Sequence, residues 1–362
     1  MKKLILISYL LISLILEAQT VNSWITTGNG SQKLNPQALT SFSQYSPNGI
    51  NNIIDLDTSI TYQTMDGFGF ALTQGSAESL MDLDEQVRLA VLNELYGTSE
   101  NAQSIVRISI GASDLSNSVY TYNETAGDIN MNNFNISDQD SSYLIPVLQD
   151  ILSINPNIKI LATPWTAPTW MKTNNSWIGG SLDENYYSAY ASYFIKYLDV
   201  MASLGINIWA ITPQNEPEHD GNEPSMLMTA SEQTDFINNH LGPAIANSSH
   251  NTKIIAFDHN CDNTAYPISV LNNSPYVDGA AFHMYLGDIS AMSTVKNQTN
   301  KNVYFTEQYT SSKGNFGDDL SWHMQNIVIG APRNWSKTVI EWNLSTNSDF
   351  GPRTAGGCSE CL

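Results

Sequence analysis

Two glutamates each stand at the end of a short apolar run. Ile208-Trp209-Ala210-Ile211-Thr212 leads through Pro213, Gln214 and Asn215 into Glu216 and Pro217, and Val303-Tyr304-Phe305-Thr306 leads into Glu307. Such runs read as buried strands, and a charge at the end of one is not placed for packing. Two carboxyl groups on separate strands suit an acid and a nucleophile working on one bond. One protonates the leaving oxygen while the other attacks carbon, which is the chemistry of glycoside cleavage. Glu216 would have to hold a proton near neutral pH, as a partly apolar site with a second carboxylate favours. Glu307 would have to be ionised. Arg107, in Ile105-Val106-Arg107-Ile108, is expected inside the fold as its counter-charge.

Two other groupings bear on the chemistry. His283 and Tyr285 are two apart after an apolar run, so in an extended segment they face the same way. A metal at His283 would need two more ligands at short range, and none is expected. Asp258, His259 and Asp262 follow a further run and are read as polar groups of a loop. A reaction carried by two carboxyl groups needs no cofactor.

The elements that must hold these residues are legible as alternation. Strand-like runs occur at Gly67–Leu72, Ser104–Ile110, Ile158–Ala162, Asn207–Thr212, Lys253–Phe257, Gly279–His283, Asn302–Thr306 and Lys337–Trp342. Helical spacing falls between them at Ala77–Leu95, Ser141–Ile154, Asn185–Leu204 and Ser231–Ile245. In Asn185–Leu204 the residues Tyr190, Phe194, Tyr197, Leu198 and Met201 share one face, predicted to pack on the sheet. Eight strands alternating with helices or long connections predict a closed (β/α)8 barrel, with its site at the strand C-termini. An open doubly wound sheet is disfavoured, because Gly67-Phe68-Gly69-Phe70 lacks the third glycine of a phosphate-binding turn. The predicted division is a leader over residues 1–19, an extension over 20–57 with one short strand at Val21–Thr27, a barrel over 58–344, and a polar Gly/Cys tail over 345–362.

Composition narrows the partners. With 35 acidic against 15 basic side chains the net charge is −20, which repels nucleic-acid phosphates and anionic membranes but not neutral glycans. Lys2 and Lys3 precede an apolar run from Leu4 to Leu16, the form of a signal peptide. That run is shorter than the roughly 20 residues of a membrane span. A secreted, periplasmic or cell-surface protein without stable membrane insertion is therefore expected. In an exported chain, Cys358 and Cys361 are expected to form a local disulfide.

The chain resembles glycoside hydrolase family 30, the glucosylceramidase family, over nearly all of residues 60–343. The resemblance is carried by Asp66-Gly67-Phe68-Gly69, by Arg107-Ile108-Ser109-Ile110-Gly111-Ala112-Ser113-Asp114-Leu115-Ser116, and by Thr163-Pro164-Trp165-Thr166-Ala167-Pro168-Thr169-Trp170-Met171-Lys172. Asn215-Glu216-Pro217, Phe282-His283-Met284-Tyr285, Phe305-Thr306-Glu307 and Glu341-Trp342-Asn343-Leu344 complete it, in the family order. It implies a retaining β-glycosidase with Glu216 as acid/base and Glu307 as nucleophile. Asp114 and Trp165 would hold the sugar being cut from its leaving group, Asn215 would donate to its 2-hydroxyl, and His283 and Tyr285 would lie near the nucleophile. Trp342 and Asn343 would form the floor. The implied substrate is a β-glucoside of glucosylceramide or β-1,6-glucan type, ahead of xylan.

Members of the family carry a β-sandwich built mostly from residues after the barrel. Val21–Thr27 is expected to be its preceding strand, with the following part and the last barrel helix absent from this sequence. An uncovered apolar flank is the expected result, and with it aggregation or dye binding. The rival reading is a carbohydrate-binding barrel without turnover.

Overall fold

The computed structural model describes residues 20–42 and 54–361. The predicted leader lies outside them. Among the described residues no helix is long and apolar enough to cross a membrane.

The chain forms two compact units. One comprises its described residues up to Thr61 together with Phe316–Leu320, the other Tyr62–Asn315 with Ser321–Leu362. In the first, Thr20–Val21 pairs antiparallel with Thr40–Ser41, and Trp24–Ile25 with Asn35–Pro36. The single strand expected at Val21–Thr27 is thus broken at Asn22-Ser23, two poor strand formers. Beyond it the chain reverses, with Gly30 N–H donating to the Thr27 carbonyl at 2.8 Å.

The second unit is a closed barrel of eight parallel strands. These are β1 (Gly67–Ala71), β2 (Ile105–Ser109), β3 (Lys159–Thr163), β4 (Ala210–Ile211), β5 (Lys253–Cys261), β6 (Val277–Gly287), β7 (Asn302–Glu307) and β8 (Ser336–Glu341). Each pairs with its chain neighbours, and β8 closes on β1 with Thr338 opposite Gly67. The interior layer is built from Ile105, Leu161, Ala210, Ile255, Ala281, Tyr304 and Ile340, one from each of β2 to β8. Gly69 completes the circuit on β1, where a Cβ would fall 1.8 Å from the Ile105 carbonyl oxygen. Two residues further along, the interior turns polar after five of these layer positions, at Arg107, Thr163, Thr212, His283 and Thr306, and stays apolar at Ala71 and Trp342.

On β5 the period fails. Counting two from Ile255 predicts Phe257 inside, yet Phe257 packs outward on Tyr266 and Phe282, and Asp258 takes the interior place. Phe257 and Asp258 have φ of 71° and 69°, and the pairing with β6 slips from Ala281 opposite Phe257 to Phe282 opposite His259. This is a β-bulge. Asp258 and His259 are therefore buried strand residues and not loop groups as expected.

Outside the barrel, the predicted helices appear in pieces. The helix expected at Ala77–Leu95 is Gln74–Met81 and Glu85–Tyr96, separated at Asp82-Leu83-Asp84. Wide, π-type turns at Asp140–Leu144, Ile237–Leu241 and Met324–Val328 are followed within a few residues by Pro146, Pro243 and Pro332. Proline has no N–H to return to the preceding turn, and a shift of register accommodates the loss. The helix Tyr187–Ser203 buries the predicted face of Tyr190, Phe194, Tyr197, Leu198 and Met201. Among the described residues no helix follows β8. The chain instead crosses the barrel mouth, where the Thr354 N–H donates to the Asp114 carbonyl and the Ser312 N–H to the Glu360 carbonyl.

Candidate active site

Arg107 organises the mouth of the barrel. Its Nη1 donates to Glu307 Oε2 at 2.5 Å, and its Nη2 donates to Asn215 Oδ1 at 2.7 Å and Asp258 Oδ2 at 3.0 Å. The fork is fully buried against the rings of Trp165 and Trp342, at 5.0 and 5.6 Å. Asp258, which the sequence reading missed as a site residue, is its deepest partner. Asp258 accepts from Arg107 and Thr212 on one oxygen and from His283 Nε2 and Thr306 on the other. Four donors around one carboxylate hold it ionised, well below the usual range despite its burial.

The chain climbs from β4 to Glu216 through two backbone bonds, from Asn215 N–H to the Pro164 carbonyl and from Glu216 N–H to the Asp258 carbonyl. Glu216 adopts φ of 45°, a left-handed conformation uncommon for a residue other than glycine. Its Oε1 lies 3.1 Å from His283 Nδ1. Glu307, the last residue of β7, accepts from Tyr285 Oη at 3.0 Å on the oxygen that Arg107 leaves free. One oxygen of Glu216, one of Glu307 and a ring nitrogen of His283 all lie within 4.8 Å of one another. These three are the only such grouping among the described residues that could offer a cation three ligands, and the Arg107 guanidinium already supplies positive charge there.

A cavity of about 430 Å³ opens over the two glutamates. Asp114, Trp165, Asn215, Tyr285 and Trp342 line it, with the indoles of Trp165 and Trp342 5.3 Å apart. Two expected sugar contacts do not line it. Asn343 is turned into the structure behind Trp342, where its Oδ1 accepts from Thr73 and Ser76 at the start of the helix Gln74–Met81. His283 is fully buried beneath the carboxyl groups, its two nitrogens committed to Glu216 and Asp258. His219, Asn222, His259 and Asn260 complete one side of the cavity, and Gly356, Cys358 and Cys361 another. The last two form the expected disulfide, and the Cys358 N–H faces Asp114 Oδ2 at 3.4 Å. Nothing in the tail's composition signals that it reaches the mouth.

Residues 65–359 match the glycosyl hydrolase family 30 TIM-barrel domain. The chain belongs to glycosyl hydrolase family 30. It is 36% identical over 325 residues to the endo-1,6-β-D-glucanase neg1 of Aspergillus fumigatus, covering 83% of this chain and 65% of that relative. To the lysosomal acid glucosylceramidase of Mus musculus it is 29% identical over 332 residues, covering 84% and 64%. The chain thus spans about two thirds of the length of the curated relatives it matches. A solved endo-β1,6-glucanase superposes with a TM-score of 0.88 at 36% identity, over 94% of this chain and 78% of that one. The SrfJ protein of Salmonella typhimurium superposes with a TM-score of 0.84 at 26% identity, over 95% and 78%.

In this family 30 chain the charge balance of the site departs from the simple expectation. Burial pushes Glu216 up, but the bond and charge of His283 bring it below the ordinary carboxylate range. Burial raises Glu307, and His283 and Arg107 offset this only in part because Glu216 and Asp258 add negative charge. The expected order, a raised acid and a lowered nucleophile, is reversed: His283, itself protonated, lowers both groups, but it bonds Glu216, while burial of Glu307 outweighs its share there. Burial opposes the charge on His283, but Glu307, Asp258 and Glu216 lift the imidazole to about 10. Its Nε2 is held by Asp258, so the mobile proton lies on the 3.1 Å line between His283 Nδ1 and Glu216 Oε1. Burial and the two glutamates push Asp114 up to about 7.

Proposed function

We propose that this chain is a retaining glycosidase that cleaves β-glucosidic bonds by double displacement. The observation that carries the reading is the pair of carboxyl groups with oxygens within 4.8 Å. Retaining enzymes hold the pair about 5–5.5 Å apart, whereas inverting ones leave about 6.5–9.5 Å for a water. Glu307 attacks the anomeric carbon as nucleophile, oriented from below by Arg107 and Tyr285. Glu216 delivers the proton shared with His283 to the leaving oxygen, then takes one from the water that releases the sugar. Because Asn215 Oδ1 is taken by Arg107, its NH₂ remains to donate to the sugar 2-hydroxyl. Asp114 receives hydroxyls of the same sugar, and Trp165 and Trp342 give it flat apolar walls. Asn343 supports Trp342 from behind.

The substrate is a β-glucan of 1,6 type or a glucosylceramide, the two classes named for relatives of this chain. The apolar run near the N-terminus supports export. An aryl β-glucoside tests the mechanism. Glu307→Gln removes turnover by about 10⁴-fold or more. Glu216→Gln spares the first step in part, because an aryl leaving group needs little acid. Turnover indifferent to both changes rules the mechanism out.

A further inference from the structure

We infer that His259 binds a hydroxyl of the leaving group, which makes the Glu216 side of the cavity a subsite for a sugar and not for a lipid. This rests on the glycosidase reading above. In a regular strand Asp258 and His259 would face opposite ways. The two left-handed residues of the β5 bulge bring both to the site, Asp258 into the barrel under Arg107 and His259 into the wall of the cavity. Backbone of that kind persists only where its surroundings enforce it, and it collects at ligand sites.

What the bulge presents is an imidazole without a protein partner. His259 Nδ1 makes no hydrogen bond among the described residues and is sealed from solvent, so the ring meets the cavity through its Nε2 edge. Glu216 Oε1 is 3.8 Å from Nδ1, beyond bonding distance, so the ring stands beside the carboxyl group that protonates the leaving oxygen. Burial lowers the imidazole to about 4, which keeps the ring neutral and lets Nε2 accept or donate according to tautomer. The neighbouring wall is polar as well. Asn260 Oδ1 accepts the N–H groups of Tyr285 and Leu286, leaving its NH₂ as a donor, and His219 and Asn222 stand at the same side. A ceramide offers one amide and one hydroxyl beside the scissile bond before its hydrocarbon begins, too few for these groups, whereas a second sugar satisfies them.

The test compares kcat/KM for methyl β-glucoside, whose leaving group needs the acid as a sugar does but lacks its hydroxyls, with that for β-linked glucobioses of 1,3, 1,4 and 1,6 linkage, and is read as a ratio within each protein. The ratio is insensitive to the fraction folded. His259→Phe keeps the ring and removes both nitrogens, and the glucobiose-to-methyl-glucoside ratio falls about ten-fold, the worth of one hydrogen bond. His259→Gln, which restores a donor and an acceptor, recovers most of it. An unchanged ratio in His259→Phe overturns the inference, whether both activities fall together or neither does. A wild-type protein that cleaves the aryl glucoside but no glucobiose also overturns it and leaves the glycosidase reading intact. A wild-type protein that cleaves neither defeats the glycosidase reading, and this inference falls with it.

Discussion

At the lower rim of the barrel, where the strands begin, Asp66 bridges Lys159 at 2.5 Å and Lys337 at 3.0 Å, and Asp278 pairs with Lys253 at 2.8 Å. The Trp209 ring lies 5.4 Å from Lys159 Nζ and 5.5 Å from Lys253 Nζ. Three cations face two acids, and all of them reach water. At the upper rim Asp114, Glu216, Asp258 and Glu307 are all buried against one permanent cation, Arg107. Wetted charges of opposite sign hold strand ends together. An excess of buried acid does something else: it forces protons to stay in the site, on His283 and on the carboxyl groups themselves. The same barrel thus keeps its lower rim for structure and its upper rim for proton transfer.

The contrast breaks first at Arg107. Arg107→Met leaves Asp258 and Glu307 without their cation and is expected to cost about 3–5 kcal/mol of stability, together with turnover. Urea denaturation measures it, and adding Asp258→Asn should return part of the stability but none of the activity. An Arg107→Met protein as stable as wild type would show that the upper rim is no different in kind from the lower.

Two changes at the upper rim sharpen the comparison by moving pH dependence in opposite directions. His283 lowers both glutamates, so His283→Gln raises both and moves the whole kcat/KM profile to higher pH, with turnover down about 10²-fold. Asp114 raises them when ionised, so Asp114→Asn lowers them and moves the alkaline limb to lower pH, with KM up about ten-fold from the lost sugar contact. Shifts of the same sign would refute the charge balance described here. The smallest effect belongs to the lower rim. Asp66→Asn should cost about 0–1 kcal/mol by thermal denaturation and leave kcat unchanged, since partly exposed ion pairs contribute little.

How much of this was legible in the residues depended on periodicity. All eight strands and both glutamates stood out because short apolar runs ending in a charge survive as a local pattern. Arg107 could be placed inside for the same reason, with Ile105 two before it. Asp258 and His259 were lost because a bulge breaks the two-residue period, and no residue in Phe257-Asp258-His259 announces left-handed backbone. The helix fragments at Pro146, Pro243 and Pro332 carried a signal in their prolines, but one that marks a disturbance without giving its register. Asn343 shared a segment with Trp342, and sequence proximity could not say that one faces the cavity and the other the interior.

The bond from Cys358 N–H to Asp114 joins residues 244 positions apart. Most neighbouring strands of the barrel can find one another over a few dozen residues, but the closure of β8 on β1 and the wall beside Asp114 both have to wait for partners most of the chain away. Local contacts build most of the scaffold early, and the distant ones close the barrel and complete the sugar pocket late. During maturation of this chain, secondary structure and burial of the aromatic face of Tyr187–Ser203 should therefore precede sugar binding. A cell that removed the last few residues described here would be left with an assembled barrel that grips its substrate poorly.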